Sequence, residues 1–106
     1  MERLIRLKIN KKSYDIALVP LGLDNPNYKL KAWICAYVIL PKWKDKENSP
    51  ESILNNCTYY KNGVYGIDTN HSFNEEMNLE QKQEDAIRQI TELIKDFNKK
   101  NKGSID

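Results

Sequence analysis

Gly63-Val64-Tyr65-Gly66-Ile67-Asp68-Thr69-Asn70-His71 holds two glycines, a carboxylate and the only histidine of the chain. Asn62-Gly63, at its head, is the strongest short hairpin signal a sequence offers. A type I′ turn needs positive φ at both central residues, and Asn and Gly tolerate it. Before the turn, Cys57-Thr58-Tyr59-Tyr60 is a short run of β-formers. After it, Val64 to Asp68 returns as the partner strand. Gly66 inside that strand signals a bulge or a close approach by another group. Thr69 to Met77 then reads as a loop. One hairpin cannot shelter the helix that follows, so a wider sheet must come from the rest of the chain.

Upstream, Leu30 to Leu40 is the strongest strand, and Trp33 to Leu40 carries no charge. Such a run predicts a strand covered on both faces and central in the sheet. Pro41 ends it. Leu4 to Ile9 puts Ile5, Leu7 and Ile9 on one face and Arg6 and Lys8 on the other, the period-two pattern of a half-buried strand. The polar turn Asn10 to Ser13 joins it to a second run, Tyr14 to Val19, which predicts a hairpin. Pro20, Gly22 and Asp24-Asn25-Pro26-Asn27 break the chain. Ser49-Pro50-Glu51-Ser52 reads as a helix start, with Ser49 as N-cap and Pro50 at the first helical position. That helix is expected to run about two turns, carrying Ile53 and Leu54, and to stop at Asn55-Asn56.

Downstream, Asn78 to Lys100 is a long amphipathic helix. Ala86, Ile90, Leu93, Ile94 and Phe97 fall on one stripe, with Ile87 at its edge. Asn78 can cap it and Gln81 can reach back from the third position. Glu75, Glu76 and Glu80 at its start and Lys95, Lys99 and Lys100 near its end match the helix dipole. The predicted fold is α+β: an antiparallel or mixed sheet of about five strands, a long C-terminal helix on one face and one short helix. Residues 1–100 form a single domain, and 101–106 are expected to be a flexible tail.

Composition narrows the function classes. The chain has 106 residues, 40% hydrophobic and 30% charged, with a formal net charge of +2. It reads as globular, with enough length to bury a core without staples. Residues 1–46 hold ten Lys/Arg against four Asp/Glu, and residues 47–106 hold seven against eleven. The asymmetry fits a solvated surface better than a nucleic-acid partner, since no helix is basic and the long one spends a face on the core. No apolar run reaches the ~20 residues of a membrane span, and no secretory leader is evident. The expected location is cytoplasmic. Cys35 and Cys57 lie among apolar and aromatic residues without a CxxC or Cys/His spacing, so a reduced, buried pair is expected. A disulfide stays open, because both fall on predicted strands that can pair.

Two constellations can carry chemistry. Asp68 and His71 sit where a strand runs into a loop, with Asn70 between them. Asp68 can take a ribose hydroxyl or hold a histidine tautomer, and His71 can act as acid or base near neutral pH. Against catalysis, there is no second histidine and no evident nucleophile. The alternative is that Asp68 caps the turn and His71 supports the loop. Asp68, His71, Glu75 and Glu76 lack the spacing of a metal site, so no metal and no cofactor are expected. The second constellation is aromatic: Trp33, Tyr37, Trp43, Tyr59, Tyr60 and Tyr65. Trp43, among Lys42, Lys44 and Lys46, can stack a base while the ammonium groups meet phosphate. Equally, Trp43 can fold its loop back onto the sheet. Trp33 and Tyr37 are expected in the core. Arg3, Arg6 and Lys8 read as charges protecting an edge strand.

Trp33-Ile34-Cys35-Ala36-Tyr37-Val38-Ile39-Leu40-Pro41 resembles the "cGYVxxP" segment of a group of small phage and mobile-element proteins. In that group a "HGGxTY" motif, a "GFDxxH" motif and a C-terminal helix follow. Asn56-Cys57-Thr58-Tyr59 resembles the end of the middle motif, and Gly66 to His71 resembles "GFDxxH" closely. The order covers roughly residues 14–98. Ala36 replaces the family's glycine, and the family's histidines after Pro41 and before Thr58 are missing. The resemblance implies a phage origin and a shared fold, and supplies no reaction. Its expected role is a non-catalytic binder that sequesters a nucleotide-derived signal to counter host defence. Asp68, His71, Asn70, Tyr59, Trp43 and Lys42 would line the site, in a homo-oligomer. The alternatives are a protein that inhibits a host defence protein by direct binding, and a nucleotide hydrolase using His71 and Asp68.

Overall fold

The computed structural model describes residues 2–24, 26, 32–69 and 78–100. Among these residues the elements follow in the order β1 (Arg3–Ile9), β2 (Lys12–Leu21), β3 (Trp33–Ile39), α1 (Pro50–Ile53), β4 (Tyr59–Lys61), β5 (Val64–Asp68) and α2 (Leu79–Lys100). The strands form one antiparallel sheet in the order β1-β2-β3-β5-β4. The chain therefore leaves β3, crosses α1, lays down β4 one place away, and turns back to fill the gap with β5. Helix α2 packs across β3, β5 and β1 on one face. The expected α+β architecture is the one observed.

Both hairpin turns are two residues long and have positive φ at each position: Asn10 and Lys11 at 52° and 69°, Asn62 and Gly63 at 49° and 88°. This handedness matches the twist of the flanking strands. The first turn is tighter than the sequence suggested, because Lys12 and Ser13 already belong to β2. β2 also runs through Pro20 to Leu21, where a break was expected. Ile34, opposite Pro20, points both its N–H and its carbonyl away toward Thr69. Pro20 thus faces β1, which has already stopped with Arg3 opposite Leu18. The missing N–H costs no ladder bond there.

The core lies between sheet and helix. Ile16, Leu18, Ile34, Ala36, Val38, Tyr65 and Ile67 present one side of the sheet to Ala86, Ile90, Leu93, Ile94 and Phe97. Each large side chain buried this way contributes about 1.5–3 kcal/mol. Tyr65 is fully buried, with its ring edge-on to Phe97 at 5.2 Å and its hydroxyl donating to the Pro41 carbonyl at 2.7 Å. The helix starts as read: Gln81 N–H donates to Asn78 Oδ1 at 2.8 Å, and Asn78 N–H to Gln81 Oε1 at 2.9 Å. Its flank is polar and yet buried. Lys82, Asp85 and Gln89 are buried, with Lys82 Nζ donating to the Ala32 carbonyl at 2.7 Å and Gln89 Nε2 donating to Asp85 at 2.7 Å.

α1 is one turn, shorter than expected. Ser49 stands at its N-cap and Pro50 opens it, but the Ser49 hydroxyl makes no capping bond and bonds to the Ser52 hydroxyl instead. The turn after it is clipped to α2. Asn55 N–H donates to Asp96, Asn56 Nδ2 to Glu92, and Lys100 Nζ to the Ile53 carbonyl. Asn56, at φ 66°, makes the stop the sequence suggested. Cys57 and Thr58 precede β4, which begins only at Tyr59.

Candidate ligand-binding face

Alternation along the strands gives the sheet a second face, which α2 does not cover. Registry aligns Leu4, Ala17, Tyr37, Gly66 and Tyr59 in one row across all five strands. On one side of that row lie Val19, Cys35 and Asp68, then Leu21 and Trp33. On the other lie Arg6, Asp15, Ile39, Val64 and Lys61. An antiparallel sheet with one wet face ordinarily shows polar residues there. Here Ile39 is 78% exposed, Leu4 73%, Tyr59 41% and Leu21 39%.

This face corrects the expectation for Trp33 and Tyr37. β3 is central, but among the described residues a second layer, α2, covers only one of its faces. Trp33 and Tyr37 stand on the open one, half-buried. The Tyr37 ring lies over Gly66, where an added Cβ would come within 2.8 Å of two ring atoms. The close approach signalled by Gly66 is therefore an aromatic ring on its own sheet. Tyr59 meets Tyr37 edge-to-face, with centroids 5.6 Å apart and planes at 85°. Arg3 does not share a face with Arg6 and Lys8, because its place in the strand turns it to the helix side. β1 is nonetheless an edge, as its charges suggested.

Asp68 ends β5 beside Cys35. Burial pushes the Cys35 thiol up, and the Asp68 carboxylate adds to the shift, while Tyr37 and Trp33 act in the opposite sense. Burial, then the neighbouring Cys35, pushes the Tyr37 hydroxyl up to about 12. Burial likewise raises Cys57. Neither thiol has the lowered pKa of a nucleophile. Both cysteines are free, and they cannot pair as strand neighbours, because β5 separates β3 from the segment leading into β4. Next to Asp68, Thr69 is fully buried: its Oγ1 accepts from Ile34 N–H at 2.9 Å and donates to the Ile34 carbonyl at 3.1 Å. Thr69 thereby fixes the end of β5 from which Asp68 projects. Nothing in the residue pattern marks this role beyond its place after the carboxylate.

The candidate residues divide. Asp68 and Tyr59 share the open face within one row of each other. Trp43 lies on the other side of the sheet, its ring 6.4 Å from Phe97, its indole N–H donating to the Asn48 carbonyl at 2.7 Å and its backbone N–H to the Tyr60 hydroxyl at 3.0 Å. Its loop folds back onto the core. Lys42 is exposed beside the Asn62-Gly63 turn, at the opposite end of β5 from Asp68. Asn70 and His71 lie outside the described residues, as do Glu75 and Glu76. Among the described residues no group of three His, Cys, Asp or Glu is placed to hold a metal ion, and no helix is long and apolar enough to cross a membrane. A groove of about 610 Å³ opens on the helix side between Leu18, Pro20, Ile34 and Leu79, away from all of these candidates. Comparison of the chain with protein-family models, curated proteins and solved structures finds no match.

Proposed function

We propose that this chain is a non-catalytic binding protein that sequesters a nucleotide-derived molecule on its open sheet face. The observation that carries the reading is the Tyr37–Tyr59 pair beside Asp68, with Lys61 on the same face. Aromatic surface can stack a base, a carboxylate can accept from a ribose hydroxyl, and an ammonium group can meet phosphate. Burial raises the Cys35 thiol on that face and makes it a poor nucleophile, which favours holding over turnover. The motif resemblance supports a phage origin, and with it a role in the host cytoplasm against a defence signal. Trp43 has no part in this site, because its ring is packed against Phe97.

The test is thermal stability against a panel of cyclic dinucleotides and ADP-ribose derivatives. A ligand at ~100 times its dissociation constant adds about 2.7 kcal/mol. Tyr59→Ala should abolish the shift and Trp43→Ala should lower the baseline stability while keeping it. Ligand recovered intact supports sequestration. Altered ligand would move the case to a hydrolase working through Asp68 and His71. A second reading, inhibition of a host defence protein by direct binding, draws on the exposure of Leu4 and Ile39. It predicts no shift with any nucleotide and capture of a host protein that Ile39→Lys prevents.

A further inference from the structure

The open face has the anatomy of an interface. Ala17, Val19, Leu21, Trp33, Tyr37, Ile39, Val64 and Tyr59 make a contiguous apolar and aromatic surface, and its charges stand at the margins. Arg6 and Asp15 pair with each other at 3.0 Å in one corner, Lys61 stands on edge strand β4, and Asp68 at the end of β5. An apolar centre with a polar rim distinguishes binding surfaces from ordinary wet sheet faces. Gly66, with no side chain of its own, leaves room for the Tyr37 ring in the middle of the face.

We propose that a second copy of this chain covers the open face. The two sheets pack face to face about a two-fold axis that crosses the strands along the row Leu4, Ala17, Tyr37, Gly66 and Tyr59. Charge selects this axis. It brings Lys61 of each copy next to Asp68 of the other, and the contact occurs twice. An axis along the strands would instead set Lys61 against Arg6. The axis across the strands also lays Ile39, 78% exposed, over Cys35 and Val19, so an exposed apolar side chain enters an apolar site. Size agrees. From strand spacing and rise, the face covers on the order of 550 Å² in flat projection. Side chains standing out of the plane raise its accessible area toward the roughly 800 Å² per partner of a stable interface. The pairing needs no ligand. Where the sequestration reading also holds, the ligand lies between two copies.

Sedimentation equilibrium over a wide concentration range tests the pairing. The expected result is a reversible dimer. Ile39→Lys should weaken it at least tenfold while far-ultraviolet circular dichroism stays that of the parent, since Ile39 supports no part of the core. Lys61→Glu alone and Asp68→Lys alone should each weaken it, and the double variant should restore it, because each copy then carries the exchanged pair. A chain monomeric at millimolar concentration overturns the proposal. So does a dimer that Ile39→Lys leaves intact, or a double variant weaker than both single ones. A monomer that still shows a nucleotide shift removes the dimer and keeps the ligand reading. A dimer with no shift keeps the dimer and removes the ligand.

Discussion

The two faces of the sheet are built from similar residues and differ in what covers them. On the helix side, Ile16, Val38, Tyr65 and Ile67 meet Ile90, Leu93 and Phe97, and almost nothing of them is exposed. On the other side, Tyr37, Val19 and Ile39 belong to the same strands but meet no second layer among the described residues. Residue type alone therefore does not decide burial. The position of α2 does, and α2 can cover only one side. What remains on the other is apolar surface whose contribution to the stability of a single copy is small.

Truncating a side chain on each face exposes the contrast most sharply. Leu93→Ala should cost about 2–5 kcal/mol, the range for deleting a buried leucine. Ile39→Ala should stay within about 0.5 kcal/mol when the protein is dilute enough to be monomeric. Urea midpoints of the two variants give the comparison directly, and equal losses would break it. Next in size is Gly66→Ala. Its Cβ would collide with the Tyr37 ring, for an expected loss of about 1–3 kcal/mol. Adding Tyr37→Ala should recover part of that loss, leaving the double variant less destabilised than the sum of the two single ones. If the losses simply add, Tyr37 does not lie over Gly66 in solution.

Alkaline titration sharpens the contrast further. Well below pH 10 the Tyr37 hydroxyl keeps its proton in folded and unfolded chains alike, and its contribution to stability is fully present. As pH rises through 10 the unfolded chain ionises first, so stability falls until the folded-state value of about 12 is passed. Tyr37→Phe should flatten this decline without removing it, because Tyr65 on the covered face is also raised by burial. The smallest effect is expected at the corner of the open face. The Arg6–Asp15 pair is 72% exposed on both sides, and Arg6→Ala should change stability by less than about 0.5 kcal/mol.

Much of the fold is legible in the sequence because its signals are local. Asn62-Gly63 fixes one hairpin through the φ values it permits, and Asn78 with Gln81 fixes the start of α2 through two reciprocal bonds. What is illegible depends on distant neighbours. Trp33 to Leu40 is apolar at every position, so its pattern does not tell a strand covered twice from one covered once. Pro20 reads as a breaker because nothing near it in sequence reveals that β1 has ended by then. Lys82, Asp85 and Gln89 carry no local signal of burial, and only the fold supplies the Ala32 carbonyl that Lys82 meets. The candidate site was legible in the same uneven way. Asp68 and Tyr59 share a face through strand registry, whereas the lysines around Trp43 suggested a surface role for a ring the core had already claimed.

The order of elements carries a consequence for synthesis. All five strands leave the ribosome before α2 does. Until residues 79–100 emerge, the nascent sheet has apolar side chains on both sides and no helix to shelter either. A chain interrupted before Leu79 would keep that two-sided stickiness, which is the condition under which partly made proteins aggregate or recruit chaperones. Docking of the last helix is thus the event that gives this sheet an inside and an outside.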